Sequence, residues 1–328
     1  VRRRLAMKKI ELMALAMLLG FAVHADTQVV GGITWTYQIV DGEAWVGKGS
    51  TSSEAVPKST AGDITVPSEL GGCPVTVISD YAFNWRRSLT SVTIPEGVRS
   101  IGYAAFGDSD AITNVVIPAS VTSITNSAFS GCSALISAKI PDGLSSINDY
   151  VFDGCSALAS VRIPEGVTSI GYAAFNKCSA LESISIPSNV TSIGGYAFGY
   201  CSGFDSVMIP AGVTNVGNRA FYRCSGIREV TVPACVAGMS YAFRDTFPDA
   251  YAQISNVTVC AGTTSIGEWA FYGCTGLTDI TIPDSVTSIG ECAFNECTGL
   301  TSITIPDSVT SIGYGAFYGC TKLASIIL

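Results

Sequence analysis

A phenylalanine returns every 23 residues along most of the chain, and that period leaves few folds open. Phe83, Phe106, Phe129, Phe152, Phe175, Phe198, Phe221, Phe243, Phe271, Phe294 and Phe317 are 11 of the 14 phenylalanines. Ten follow an alanine, and eight of the ten intervals between them are 23 residues. Periods of this length belong to repeat architectures, where one unit cannot bury its own apolar face and stacks on its neighbours. A complete unit, Leu300 to Leu323, reads L-x2-I-x-I-P-x2-V-x2-I-x3-A-F-x2-C-x2-L.

Each part of the unit has a physical reading. Ile303 and Ile305 alternate with Ser302 and Thr304, the period of a half-buried strand. Pro306 has no N–H to donate and ends that strand. Val309 and Ile312 bring a second extended segment inward. A glycine follows the Ile312 position in seven of the eleven units (Gly102, Gly171, Gly194, Gly217, Gly267, Gly290 and Gly313), which predicts a positive φ or a tight bend there. The Ala-Phe-x2-Cys stretch is expected to form one helical turn on the opposite side. The result is a repeat solenoid of about eleven coils, with short parallel β-strands on a concave face and helical turns on a convex one. At about 4.8 Å per coil it spans roughly 50 Å.

The motif, as in Leu277 to Cys297 and Leu300 to Cys320, strongly resembles the BspA-type leucine-rich repeat of secreted and surface proteins of bacteria and some protists. The resemblance covers about residues 67–328. It implies a leucine-rich-repeat fold and, for some relatives, adhesion to host matrix proteins or other microbes. It implies no catalytic residue.

Outside the repeat, residues 1–25 read as a signal peptide. Arg2, Arg3, Arg4, Lys8 and Lys9 precede an apolar run from Leu12 to Val23, and Val23-His24-Ala25 fits a cleavage site. The run is too short to span a bilayer, which needs about 20 residues. Residues 26–66 form a β-rich cap and link: Ile33 to Val40, Asp41-Gly42 and Ala44 to Val46 read as a hairpin, and Ser50 to Ala61 as an exposed connection. Residues 67–328 form the solenoid. Five extra residues around Ser68 to Pro74 predict a loop in its first coil, and an insertion near 244–253 is expected to bulge from the convex side.

Composition removes whole classes of function. Cleavage takes five of 18 basic and one of 26 acidic residues, leaving 13 and 25, a net charge of −12. So acidic a chain has little material for a phosphate-neutralising surface, and no nucleic-acid partner is expected. Cleavage also removes His24, the only histidine, and with it any Ser-His-Asp or Cys-His arrangement. Cys132, Cys155, Cys178, Cys201, Cys224, Cys274, Cys297 and Cys320 share one repeat position. They form a column, which favours packing thiols over disulfides or a metal site. The acids after the repeat proline (Glu96, Asp142, Glu165, Asp284 and Asp307) read as solvated turns more than as a calcium ladder. No cofactor and no metal is expected.

The binding surface is narrowed to outward residues. On the strand face Ser137, Lys139, Ser160, Arg162 and Met208 flank inward positions. Lys139 and Arg162 stand at one repeat position in adjacent coils, and like charges so close predict an anionic partner or two splayed side chains. Phe247 and Tyr251 in the insertion are a second set, either a recognition loop or a neutral insertion. Tyr222, Tyr272 and Tyr318, each after a repeat phenylalanine, are an aromatic strip or a cover for the core. The expected function is an exported, non-enzymatic binding protein at a surface, with a protein or glycan ligand and no membrane span after cleavage. The alternative is a structural module of the cell envelope. Ser325 to Leu328 end the chain within a strand, which predicts edge-mediated self-association or a truncated frame.

Overall fold

The computed structural model describes residues 25–48 and 54–328; residues 1–24, within the stretch read as a signal peptide, lie outside them. Residues 63–328 build a parallel β-solenoid of about twelve turns. Most regular coils carry two short strands, while the coil at 181–203 has only the second and interrupts the first-strand sheet. The first, such as Ser302–Thr304, buries its middle residue between exposed neighbours. The second is a Ser-Ile pair, such as Ser288–Ile289, with the isoleucine inward. Equivalent residues of adjacent coils pair in parallel register, Ser137 with Ser160 and Lys139 with Arg162 in one sheet, Ser169 with Ser192 in the other.

The Ala-Phe-x2-Cys stretch is not the expected helical turn. The Phe106 N–H donates to the Ala128 carbonyl at 2.8 Å, and the Phe175 N–H to the Ala197 carbonyl at 2.7 Å, so these peptides bond the next coil and not their own. Left-handed residues redirect the chain. All eleven residues two before a repeat phenylalanine have φ between +45° (Ala104) and +62° (Gly315), and only Gly315 is a glycine. Lys177, Tyr200, Arg223 and Glu296, two residues after it, share that conformation.

Of the two needs expected of the recurring glycines, positive φ is not the one they serve. None of Gly102, Gly171, Gly194, Gly217, Gly267, Gly290 and Gly313 has a left-handed φ. They are required by close approach: a Cβ on Gly194 would lie 2.6 Å from the Gly171 carbonyl carbon, and one on Gly290 2.5 Å from the Glu268 nitrogen. Side chains at this corner would force neighbouring coils apart.

Inside, phenylalanine rings stack from coil to coil. Their centroids lie 5.1 to 5.6 Å apart from Phe83 to Phe221, near the strand spacing that sets the coil rise. Trp35 closes the column, its ring edge-on to Phe83 at 6.3 Å. That tryptophan belongs to the cap, where β1 (Asp26–Val30), β2 (Ile33–Val40) and β3 (Glu43–Val46) form an antiparallel meander. Asp41 and Gly42 both have positive φ, as a tight hairpin turn requires. β3 then pairs in parallel with the strand Cys73–Ile78, joining the cap to the second-strand sheet.

Three local expectations change. The extra residues at 68–74 form a small hairpin, Glu69–Leu70 against Cys73–Ile78, and not a loop. The link is not wholly exposed, since Ala55 and Val56 are buried and Ala55 bonds both Thr36 and Ala82. The insertion is not a free bulge. After a short helix, Ala242–Thr246, Thr246 accepts the Phe221 N–H in the place an alanine fills elsewhere, and Phe247 stacks on Phe221 at 5.1 Å. Phe243 lies between Phe247 and Phe271, at 5.2 and 4.9 Å. Burying an apolar ring stabilises by about 1.5–3 kcal/mol, and the longer coil uses its second ring that way.

Candidate functional site

The strand face brings together what the repeat arithmetic placed there. Ser137, Lys139, Ser160, Arg162 and Met208 are all exposed, and Lys139 and Arg162 are register partners. The two like charges do not wait for an anionic partner, however. Arg162 Nη1 donates to Asp142 Oδ1 at 2.7 Å, so the acid after the repeat proline of the neighbouring coil already answers its charge. Further along this face Ser206, Met208, Glu229, Thr231, Asn256 and Asp279 line a shallow depression of about 390 Å³. Asn256 donates to Glu229 there at 3.0 Å. The residues are short, polar and acidic, with Met208 the only large apolar one.

Phe247 cannot take part in recognition, because it is fully buried in the phenylalanine column. Tyr251 is half-buried against the core, and the Arg244 guanidinium lies 5.0 Å from its ring centroid. The insertion therefore offers Arg244 and one edge of Tyr251.

A richer surface lies along the turns. Tyrosines at the left-handed places two before and two after the phenylalanine meet on one flank, Tyr196 and Tyr200 both through Tyr222. Tyr150, Tyr172, Tyr196 and Tyr222 make a chain of ring contacts at 5.3 to 5.8 Å across four coils. Tyr200 meets Tyr222 edge-on at 5.3 Å. Arg219 lies between Tyr196 and Tyr222, 5.9 and 5.5 Å from their centroids, and donates to the Tyr196 hydroxyl at 2.6 Å. Arg223 lies 5.7 and 5.6 Å from Tyr200 and Tyr222. Such contacts favour a cation without neutralising it. Beside them Lys177, Tyr200, Arg223 and a row of serines line an open groove of about 710 Å³.

Of the expected tyrosine strip only Tyr222 belongs to this chain of rings. Tyr272 packs with Tyr241 and Trp269 in a separate cluster, and Tyr318 is exposed in the last coil. Tyr150, Tyr172, Tyr196, Tyr200, Lys177, Arg219 and Arg223 were missed. Their signal was present: aromatic residues recur two and three places before the phenylalanine, in columns the repeat formula treats as spacers.

The cysteine column lines the coil beside the phenylalanines, and all twelve cysteines are free thiols. Cys132 donates to the Phe106 carbonyl at 3.1 Å, Cys155 to Phe129 at 3.2 Å, and Cys201 to Phe175 at 3.3 Å. Burial pushes the Cys132 and Cys224 thiols up to about 12. They are inert packing groups.

Comparison with known proteins agrees with this architecture. Among curated proteins, no sequence matches the chain. A leucine-rich cell surface protein of Faecalibacterium prausnitzii A2-165 is similar, with 26% identity over 92% of this chain and 94% of that one, and a TM-score of 0.54. A leucine-rich repeat protein of Bacteroides ovatus is 23% identical over 91% of this chain and 94% of that one, with a TM-score of 0.48. The family profile described as BspA type leucine rich repeat region matches residues 63–180, 133–248 and 244–328, with six copies. From Asp63 onward the repeat, its stacked core and the profile coincide, and the chain belongs to the BspA-type leucine-rich repeat family.

Proposed function

We propose that the protein is exported and acts at a cell surface as a non-enzymatic binding protein for macromolecules of host matrix or of other microbes. The observation that carries this reading is the division of labour within each coil. Inward positions repeat and are consumed by packing, while outward positions change from coil to coil and present an extended, chemically varied surface. Family membership and the likeness to a cell surface protein of F. prausnitzii support the location.

The test is capture by immobilised residues 26–328 from host matrix preparations and from bacterial envelope fractions. Saturable capture of a macromolecule is the expected result. If nothing is retained, and the native protein sits in an insoluble envelope fraction, it is a structural module of the envelope. Mass spectrometry of the exported protein should find Asp26 at its N-terminus.

A further inference from the structure

We propose that the turn-side groove around Lys177, Tyr200 and Arg223 is a binding site for an acidic polysaccharide, one bearing carboxylate or sulfate groups along its chain. This rests on the binding function above and names its site and ligand class.

The first observation is charge placement. Residues 26–328 are strongly acidic, yet Lys177 of one coil and Arg219 and Arg223 of the next but one lie on the same flank. Among the described residues, no carboxylate lies within salt-bridge distance of any of the three, nor of Lys139, Arg228, Arg244 or Lys322, but only here do three such cations cluster beside one groove, whereas Lys58, Arg86, Arg87, Arg99 and Arg162 are each paired. Arg219 and Arg223 are ordered by tyrosine faces, which position a guanidinium and leave its charge available. Asp249 is the one acid at the groove wall, and one of its oxygens already accepts the Arg223 backbone N–H at 2.9 Å.

The second observation is shape and spacing. Lys177, Tyr200 and Arg223 occupy the same place in consecutive coils, each with a left-handed φ, so the row reads cation, ring, cation at about one strand spacing per step. Beside it Ser156, Ser179, Ser202 and Ser225 occupy another single place, all exposed. One step of these rows is close to the length of one sugar unit in a linear polysaccharide. Tyr200 offers a ring face to a sugar's C–H face, the serines offer hydroxyl partners, and Lys177 and Arg223 fit acidic substituents two steps apart. In the preceding two coils the same place is held by Gly154 and Gly131, so the groove runs on without a side chain across it. A protein partner would favour Tyr and Arg too, but set in a packed pocket that water leaves, whereas this groove is open and lined by serine hydroxyls.

Binding of residues 26–328 to polygalacturonate and to chondroitin sulfate, with dextran and inorganic polyphosphate as comparisons, tests this. The expected result is binding of at least one acidic glycan, weakened about tenfold or more in the Arg219→Gln/Arg223→Gln variant, with a flatter salt dependence. Tyr200→Ala should weaken the same glycan about threefold or more with its salt dependence kept. Thermal unfolding of each variant should match the parent, and Lys139→Ser/Arg162→Ser on the strand face should bind as the parent does. Binding of polyphosphate as tight as that of the glycans and indifferent to Tyr200→Ala would mean a general anion patch and overturn the proposal, as would equal binding of dextran. Capture from matrix or envelope fractions that R219Q/R223Q leaves unchanged overturns this site while the binding function stands. Capture of nothing, glycans included, overturns both.

Discussion

Two residue positions that look alike in the sequence obey opposite rules in the coil. At the corner after the second strand glycine is required because the neighbouring backbone leaves no room for a Cβ, while at the turns a left-handed φ is imposed on residues that mostly have one. Gly194→Ala should therefore cost about 1–3 kcal/mol through overpacking against Gly171. Glu296→Gly should stabilise by about 0.5–1 kcal/mol, because relief of the left-handed strain exceeds glycine's extra chain entropy. Denaturant midpoints of the two variants check the opposite signs. Phe247 gives a third test at this scale. As a member of the column, Phe247→Ala should cost about 3–5 kcal/mol, whereas a ring on a free loop would change stability by less than about 0.5 kcal/mol.

At the scale of the coil, the thiol column makes stability depend on alkaline pH. The Cys132 and Cys224 thiols, buried among carbonyls and rings, hold their protons to about 12, while an unfolded thiol loses its proton near 9.0. Between these values the folded state binds more protons than the unfolded one, so stability is full below pH 9 and falls as pH rises toward 12. Urea midpoints at pH 8 and 10.5 should show the drop, and Cys224→Ala should make it smaller. The coil also shows what a sequence can convey. Inward rows announce themselves because packing demands the same residue every 23 places, and the strands and the proline stop follow from that, while the cap hairpin shows in its Asp41-Gly42 turn between two β-rich runs. The turns do not: a glycine column marks tight space as readily as positive φ, and the left-handed positions hold Tyr, Ala, Ser, Arg, Trp and Cys with no common chemistry. For the same reason the Tyr and Arg rows of the groove stayed hidden as spacers, and the Asp142 partner of Arg162, 20 residues away, could be placed only by the fold.

Across the whole molecule, each coil packs mainly on its neighbours, so the column of rings, with the strand ladders and turn hydrogen bonds beside it, makes the coils one body. It runs from Trp35 through Phe83 to Phe221, passes through Phe247 and Phe243, and continues to Phe317. The irregular coil is the place where it could break. Continuity there keeps the aromatic and cationic groove of the preceding coils on a rigid support, with Asp249 of the irregular coil itself forming part of its wall. Hydrogen exchange across residues 221–271 tests this continuity most directly. The account predicts that the Phe221 and Phe247 amides exchange as slowly as those of Phe175 and Phe271, since each donates to a carbonyl inside the stack. Rapid exchange over residues 242–254, at the rate of an unprotected loop, would contradict it and divide the solenoid into two separate blocks.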